Sequence, residues 1–201
     1  MLLHVEMNGT AKHEPVKTDA APEGGSELRF FLIAVVLAAA FALVPRSLSS
    51  CRSAQRGEDA PDFTASVVAN PLDNKPLTKE SAIALASLKG HPVLLDFWAT
   101  WCGPCQAEAP IVNSVAQRFA EKGLVVIGVN TSDEPGLAEP FALKKGLVFP
   151  IVFDRGNAVA RAYRVDNLPT LVLISKTGKV VAIRHGVTSA ADLERLVRAE
   201  L

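Results

Sequence analysis

Hydrophobic positions are spread unevenly along this chain. Phe30 to Val44 reads FFLIAVVLAAAFALV, fifteen residues without a polar side chain, whereas an amphipathic surface helix interrupts such a run every few positions. The pattern predicts a segment in a nonpolar solvent. Fifteen helical residues reach only about 22 Å against a hydrocarbon core of about 30 Å. Counting from Leu28 to Leu48, with Arg29 and Arg46 placing their charges among headgroups, gives about 31 Å, so residues 28–48 are expected to be a transmembrane anchor. A cleaved signal peptide, a lipoprotein acylated at Cys51 and a buried core helix are the alternatives. The leader before the run holds Lys12, Lys17 and Arg29 against Glu6, Glu14, Asp19, Glu23 and Glu27, unlike the short positive start of a signal peptide. Arg46 lies close to the Leu48-Ser49-Ser50-Cys51 box and argues against lipidation. Charge leaves orientation open, because three basic residues lie on each side within about 20 residues of the run.

Residues 1–27, polar and rich in Glu, Lys, Pro and Gly, are expected to be a tail, and 49–58, Ser- and Arg-rich, a tether. Residues 59–201 are expected to be one folded domain in which strand and helix patterns alternate. Phe63 to Val68 and Ile83 to Leu85 are short strand candidates around a turn-rich stretch, an appended hairpin. Pro92 to Phe97 and Leu124 to Val129 are short apolar runs of the kind buried on both faces of a sheet. Between them Ala107, Ile111, Val115 and Phe119 predict one helix face, closed by Gly123. A helix is expected near 135–145, closed by Gly146. Further expectations are a strand at Ile151 to Phe153, a helix at Ala158 to Tyr163, strands at Leu171 to Ile174 and Val180 to Arg184, and a last helix from Ala190 to Leu201. This alternation predicts an α/β fold, a three-layer sandwich around a mixed β-sheet.

Composition narrows the function. Across 201 residues, 21 basic side chains balance 21 acidic ones, so there is no excess to neutralise phosphates and nucleic acid is not an expected partner. No P-loop frame and no G-x-G-x-x-G after a strand is present, and no cofactor is expected.

The chemistry converges on DFWATWCGPCQAEAP, residues 96 to 110. A C-x-x-C is half of a zinc site, but Cys51 and the histidines at 4, 13, 91 and 185 supply no second pair at ligand spacing, so no metal is expected. A structural disulfide would need no particular residues between its cysteines, whereas Gly103-Pro104 stands where a strand becomes a helix. The remaining reading is a redox dithiol. At a helix N-terminus Cys102 meets unpaired N–H groups and the positive end of the helix dipole, which lower its pKa and make it the nucleophile. Cys105, one turn on and expected deeper, is the resolving thiol. Asp96 stands inside an apolar strand, where burial should raise its pKa and make it a proton acceptor for Cys105.

These residues resemble the thioredoxin superfamily, and within it the membrane-linked TlpA/ResA-like thiol-disulfide oxidoreductases, over about residues 59–201. Asp96 matches thioredoxin's buried acid, Trp98 and Trp101 its aromatic pair, Pro110 the proline of its active-site helix, and Leu168-Pro169-Thr170 its cis-proline loop. Glu108 matches an acidic position three residues after the second cysteine in many members of the branch, and 124–165 match its central insertion. The resemblance implies a thioredoxin fold with an N-terminal β-hairpin extension. It also implies a substrate surface of Trp101, Gly103, Pro104, Leu168, Pro169 and Thr170, and a role for Glu108 in setting thiol pKa values. The branch often has asparagine where this chain has Asp96, and Gly103-Pro104 is thioredoxin's own dipeptide, which points to a reducing couple nearer thioredoxin's −270 mV than the −120 mV of a strong oxidant, both about.

The expected function is therefore reduction of disulfides in extracytoplasmic client proteins, such as those of cytochrome c maturation or copper-site assembly, with electrons from a membrane thiol-transfer donor. The catalytic domain is expected on the periplasmic side. Two alternatives stand beside it. A thiol peroxidase is suggested by the opening Gly57-Glu58-Asp59-Ala60-Pro61-Asp62-Phe63, though the CGPC pair argues against it. A thioredoxin-like binding module without redox turnover is the other.

Overall fold

The computed structural model describes residues 30–36, 54–70 and 81–201. The expected tail, most of the expected anchor, Cys51 and the turn-rich stretch at 71–80 lie outside the described residues. Residues 30–36 are helical with exposed side chains, and they fall in the first of two compact units, 1–49 and 50–201. Among the described residues no helix is long and apolar enough to cross a membrane.

Seven strands form one mixed sheet in the second unit: β1 (Thr64–Ala69), β2 (Ala82–Ala84), β3 (Val93–Trp98), β4 (Val125–Asn130), β5 (Ile151–Phe153), β6 (Thr170–Ile174) and β7 (Val180–His185). Their order is β2-β1-β5-β4-β3-β6-β7. β3, β4 and β5 run parallel, while β6 and β7 on one side and β1 and β2 on the other are antiparallel additions. The parallel strands need crossovers, and α1 (Gly103–Phe119) and α2 (Ala138–Lys145) supply them; α3 (Ala158–Ala162) and α4 (Ala190–Arg198) complete the helices described in this unit.

β3 is buried at all six positions, as a central strand with both faces covered requires. Alternation sends Leu94, Asp96 and Trp98 to one face and Val93, Leu95 and Phe97 to the other. The first face meets α1, α2 and α4 through Val112, Val115, Phe119, Ala142, Leu193 and Val197. The second meets Val159, Ala160 and Tyr163 from and beside α3. These are the three layers that the alternating pattern predicts. The expected hairpin is β1 with β2, placed at the sheet edge.

Two expectations are corrected. The second hairpin strand ends at Ala84, because Leu85–Leu88 turn into a 3-10 helix. The buried stripe of α1 is Cys105, Glu108, Ala109, Val112, Val115, Ala116 and Phe119, leaving Ala107 exposed. A strict four-residue repeat drifts by about 40° per step around a helix of 3.6 residues per turn, so Ala107 falls outside the stripe while Ile111 packs half-buried against the core and Val115 and Phe119 are buried in it. The same rotation carries Glu108 inward.

Candidate active site

β3 delivers the chain to the site. Parallel pairing with β4 and antiparallel pairing with β6 fix Phe97 opposite Thr170, so the loop after β3 and the loop before β6 meet at the same end of the sheet. Four residues past Trp98, Cys102 caps α1: its Sγ accepts from the Cys105 N–H at 3.2 Å. Pro104 falls in the first turn, where no N–H is needed. Cys102 and Cys105 form a disulfide with Cα atoms 5.3 Å apart. Each is 4% exposed, so Cys105 is not the deeper of the two as expected; both are buried in the same core cluster. Gly103 and Pro104 are exposed beside them, and Trp101 is 65% exposed.

The residues before the nucleophile are held from the loop after β4. The Asp133 carboxylate accepts from the Thr100 N–H at 2.6 Å, the Thr100 hydroxyl at 2.9 Å and Asn130 Nδ2 at 2.9 Å. Burial pushes the Asp133 pKa up, but these bonds and one from the Glu134 N–H outweigh it and hold the group below its ordinary value. Trp101 Nε1 donates to the Ser132 carbonyl at 2.8 Å. Sequence reasoning missed Ser132 and Asp133. The signal was present in Asn130-Thr131-Ser132-Asp133, a polar cluster directly after a buried strand.

Asp96 lies on the face of β3 that carries Leu94 and Trp98, which pack in one cluster with Cys102 and Cys105, and Glu108 lies on the buried stripe of α1 that begins at Cys105. Asp96 is 6% exposed; burial, with the neighbouring Glu108 charge adding to it, raises its pKa to about 8. Glu108 is 1% exposed, a buried carboxyl and not a surface charge. Burial raises its pKa too, opposed by hydrogen bonds from Thr188, whose N–H donates to Glu108 Oε1 at 2.7 Å. Glu108 Oε2 has no partner among the described residues, nor do Trp98 Nε1 and Asn130 Oδ1. Gly128 lies opposite Asp96. A Cβ there would stand 2.9 Å from Trp98 Nε1 and 2.6 Å from Ile151 Cδ1, so the close approach of the indole requires glycine.

On the β6 side the Leu168–Pro169 peptide is cis. Pro169 is buried and its carbonyl accepts from the Gly186 N–H at 2.9 Å. Thr170 is fully buried, its hydroxyl donating to the Asn167 carbonyl at 2.7 Å and standing 3.0 Å from His185 Nδ1. Its side chain therefore braces the loop from within and offers no contact surface. Leu168 is half-buried, and its N–H and carbonyl make no hydrogen bond among the described residues. It joins Trp101 along a groove of about 460 Å³. Among the described residues no group of three or more His, Cys, Asp or Glu side chains is arranged to hold a metal ion.

Residues 56–183 match the AhpC/TSA family. The chain is 37% identical to the thiol-disulfide oxidoreductase ResA of Geobacillus kaustophilus over 139 residues, covering 69% of this chain and 74% of that one. It is 36% identical to ResA of Bacillus anthracis over 140 residues, 70% and 75% of the two chains. Among solved structures it resembles a crystal structure titled as a putative thiol:disulfide interchange protein DsbE from Chlorobium tepidum, with a TM-score of 0.64, 32% identity, and 74% and 99% of the two chains covered.

Proposed function

This chain belongs to the AhpC/TSA family and is a thiol-disulfide oxidoreductase of thioredoxin fold, and from that premise we propose that it reduces disulfides in extracytoplasmic client proteins. The observation that carries the proposal is a Cys102–Cys105 pair at a helix N-terminus, above a buried Asp96 and Glu108. In the reduced protein the Cys102 thiolate attacks one sulfur of a client disulfide, forming a mixed disulfide and expelling the other client sulfur as a thiolate. Cys105 then gives its proton to the ionised carboxyl of Asp96 and attacks the Cys102 sulfur. The second client thiolate leaves, the client has gained two electrons, and Cys102 and Cys105 are joined. A pKa of about 8 suits a group that exchanges a proton near neutral pH. When the disulfide is re-reduced, the protonated Asp96 returns its proton to the departing Cys105 sulfur. The client's extended chain pairs with the free backbone groups of Leu168 beside the dithiol, a form of strand addition.

Residues 28–48 anchor the protein in the membrane, a thiol-transfer donor in that membrane re-reduces the dithiol, and clients include those of cytochrome c maturation or copper-site assembly. The fifteen-residue apolar run supports the anchor, and the persistence of disulfides outside the cytoplasm supports the periplasmic placing. A membrane-impermeant thiol reagent on intact cells should label reduced Cys102; protection until lysis overturns that placing. For the chemistry, Cys105→Ser should accumulate client mixed disulfides through Cys102 while Cys102→Ser loses insulin reduction by at least about 1,000-fold. Equal trapping by both variants, or peroxide consumption in place of insulin reduction, overturns the proposal.

A further inference from the structure

Asn157 occupies the position before α3 where an asparagine ordinarily caps its own helix. Here the Asp154 carboxylate does so, accepting from the N–H groups of Val159 at 2.8 Å and Ala160 at 2.9 Å, and the Asn157 side chain makes no cap bond. It turns across to the loop after β4 instead. Its Oδ1 accepts from the Ser132 N–H at 2.8 Å and the Thr131 hydroxyl at 3.0 Å. The Ser132 carbonyl in turn accepts from Trp101 Nε1, the indole adjoining Cys102.

Both joints of this chain are left-handed, with φ of 54° at Ser132 and 57° at Asn157. Non-glycine residues adopt that region sparingly and persist there where the surroundings hold them. Ser132, Asn157, Trp101, Arg161 and Leu168 line the same groove. The hydrogen-bonded path therefore joins two lining residues of the groove, Asn157 and Ser132, to a third, the exposed Trp101 indole.

We propose that Asn157 is a positioning residue for client docking: through Ser132 it fixes the Trp101 indole as one wall of the groove that ends at Leu168. The inference rests on the reading of this site as the place where a disulfide-bearing client binds. Asn157 touches neither cysteine, so its effect falls on client binding and leaves the exchange chemistry to Cys102, Cys105 and Asp96. Asn157→Gly tests it cleanly, because glycine keeps a positive φ without strain and removes only the acceptor. Asn157→Asp keeps an acceptor oxygen and tolerates the same φ.

The experiment uses the full chain with 15N-labelled indoles, buried Trp98 serving as internal control, and oxidised insulin as the client. In Asn157→Gly the Trp101 indole resonance should move toward its solvent-exposed position. The KM for insulin should rise about fivefold, the worth of one neutral hydrogen bond, with kcat changed less than about twofold by the same measure. Asn157→Asp should restore both values. An unmoved indole resonance in Asn157→Gly overturns the proposal, as does a moved resonance with unchanged KM, or an Asn157→Asp variant as impaired as Asn157→Gly. If the unaltered chain reduces no insulin, the oxidoreductase reading fails, and the resonance still decides whether Asn157 holds Trp101.

Discussion

The two faces of β3 are built to opposite standards. On one, Val93, Leu95 and Phe97 pack with Tyr163, and the polar groups nearby are satisfied. The Tyr163 hydroxyl donates to the Pro61 carbonyl at 2.8 Å, and both Asp154 oxygens accept backbone N–H groups. On the other face, Asp96 and Trp98 stand with Glu108, Asn130 and the dithiol, and Trp98 Nε1, Glu108 Oε2 and Asn130 Oδ1 lack partners among the described residues. Unsatisfied buried polar atoms cost about 1–3 kcal/mol each, and a buried carboxyl costs more when it ionises. The first face supplies stability. The second gives some of it up to hold protonatable groups under two sulfurs.

Substitutions on the two faces should therefore differ in sign. Phe97→Ala, at a fully buried position beside Tyr163, should lower unfolding free energy by about 4 kcal/mol in urea denaturation while leaving the Asp96 titration in place. Asp96→Asn should do the reverse. The Asp96 carboxyl holds its proton in the fold up to about pH 8 but loses it in the unfolded chain near 3.8. Stability of the unaltered protein should thus fall as pH rises across that window and stay flat below it. Removing the ionisable group should raise stability on the order of 4 kcal/mol at pH 7 and leave it unchanged at pH 3. An equal gain at both pH values would show that ionisation is not the cost.

Smaller substitutions sharpen the contrast. Gly128→Ala drives a methyl group into Trp98 and Ile151 and should cost about 2 kcal/mol of stability through overpacking. Glu108→Gln removes the charge that helps raise the Asp96 pKa. It should move the Asp96 midpoint down and add about 1 kcal/mol of stability near pH 8. A midpoint that stays in place would separate the two carboxyls electrostatically.

Much of this site is legible in the chain because it is local. The CGPC turn, Asp96 within an apolar strand and the opening of α1 lie within fifteen residues, and each signals its own environment. The central strands β3 and β4 are equally readable, since apolar runs of six residues between turns leave little choice, whereas the pattern places the three-residue β2 one residue too late. What escaped depends on tertiary contact. Glu108 is buried because α1 is rotated against the sheet, and its partner is a backbone N–H 80 residues away at Thr188. Thr170 reads as contact surface in a motif, yet its hydroxyl faces inward to Asn167 and His185. Asn157 looks like a helix cap until Asp154 is seen to take that place. In each case the residue type was informative and the direction of its side chain was not.

The most direct test of the account is the rate at which Cys105 resolves a preformed Cys102 mixed disulfide, followed from pH 5 to pH 9 in the unaltered protein and in Asp96→Asn. If the carboxyl on the dithiol face takes the Cys105 proton, the unaltered rate should rise with an inflection near pH 8, the value to which burial raises Asp96. Asp96→Asn should then be slower by about tenfold or more at neutral pH and lack that inflection. Superimposable profiles would contradict the account and leave Asp96 a structural residue.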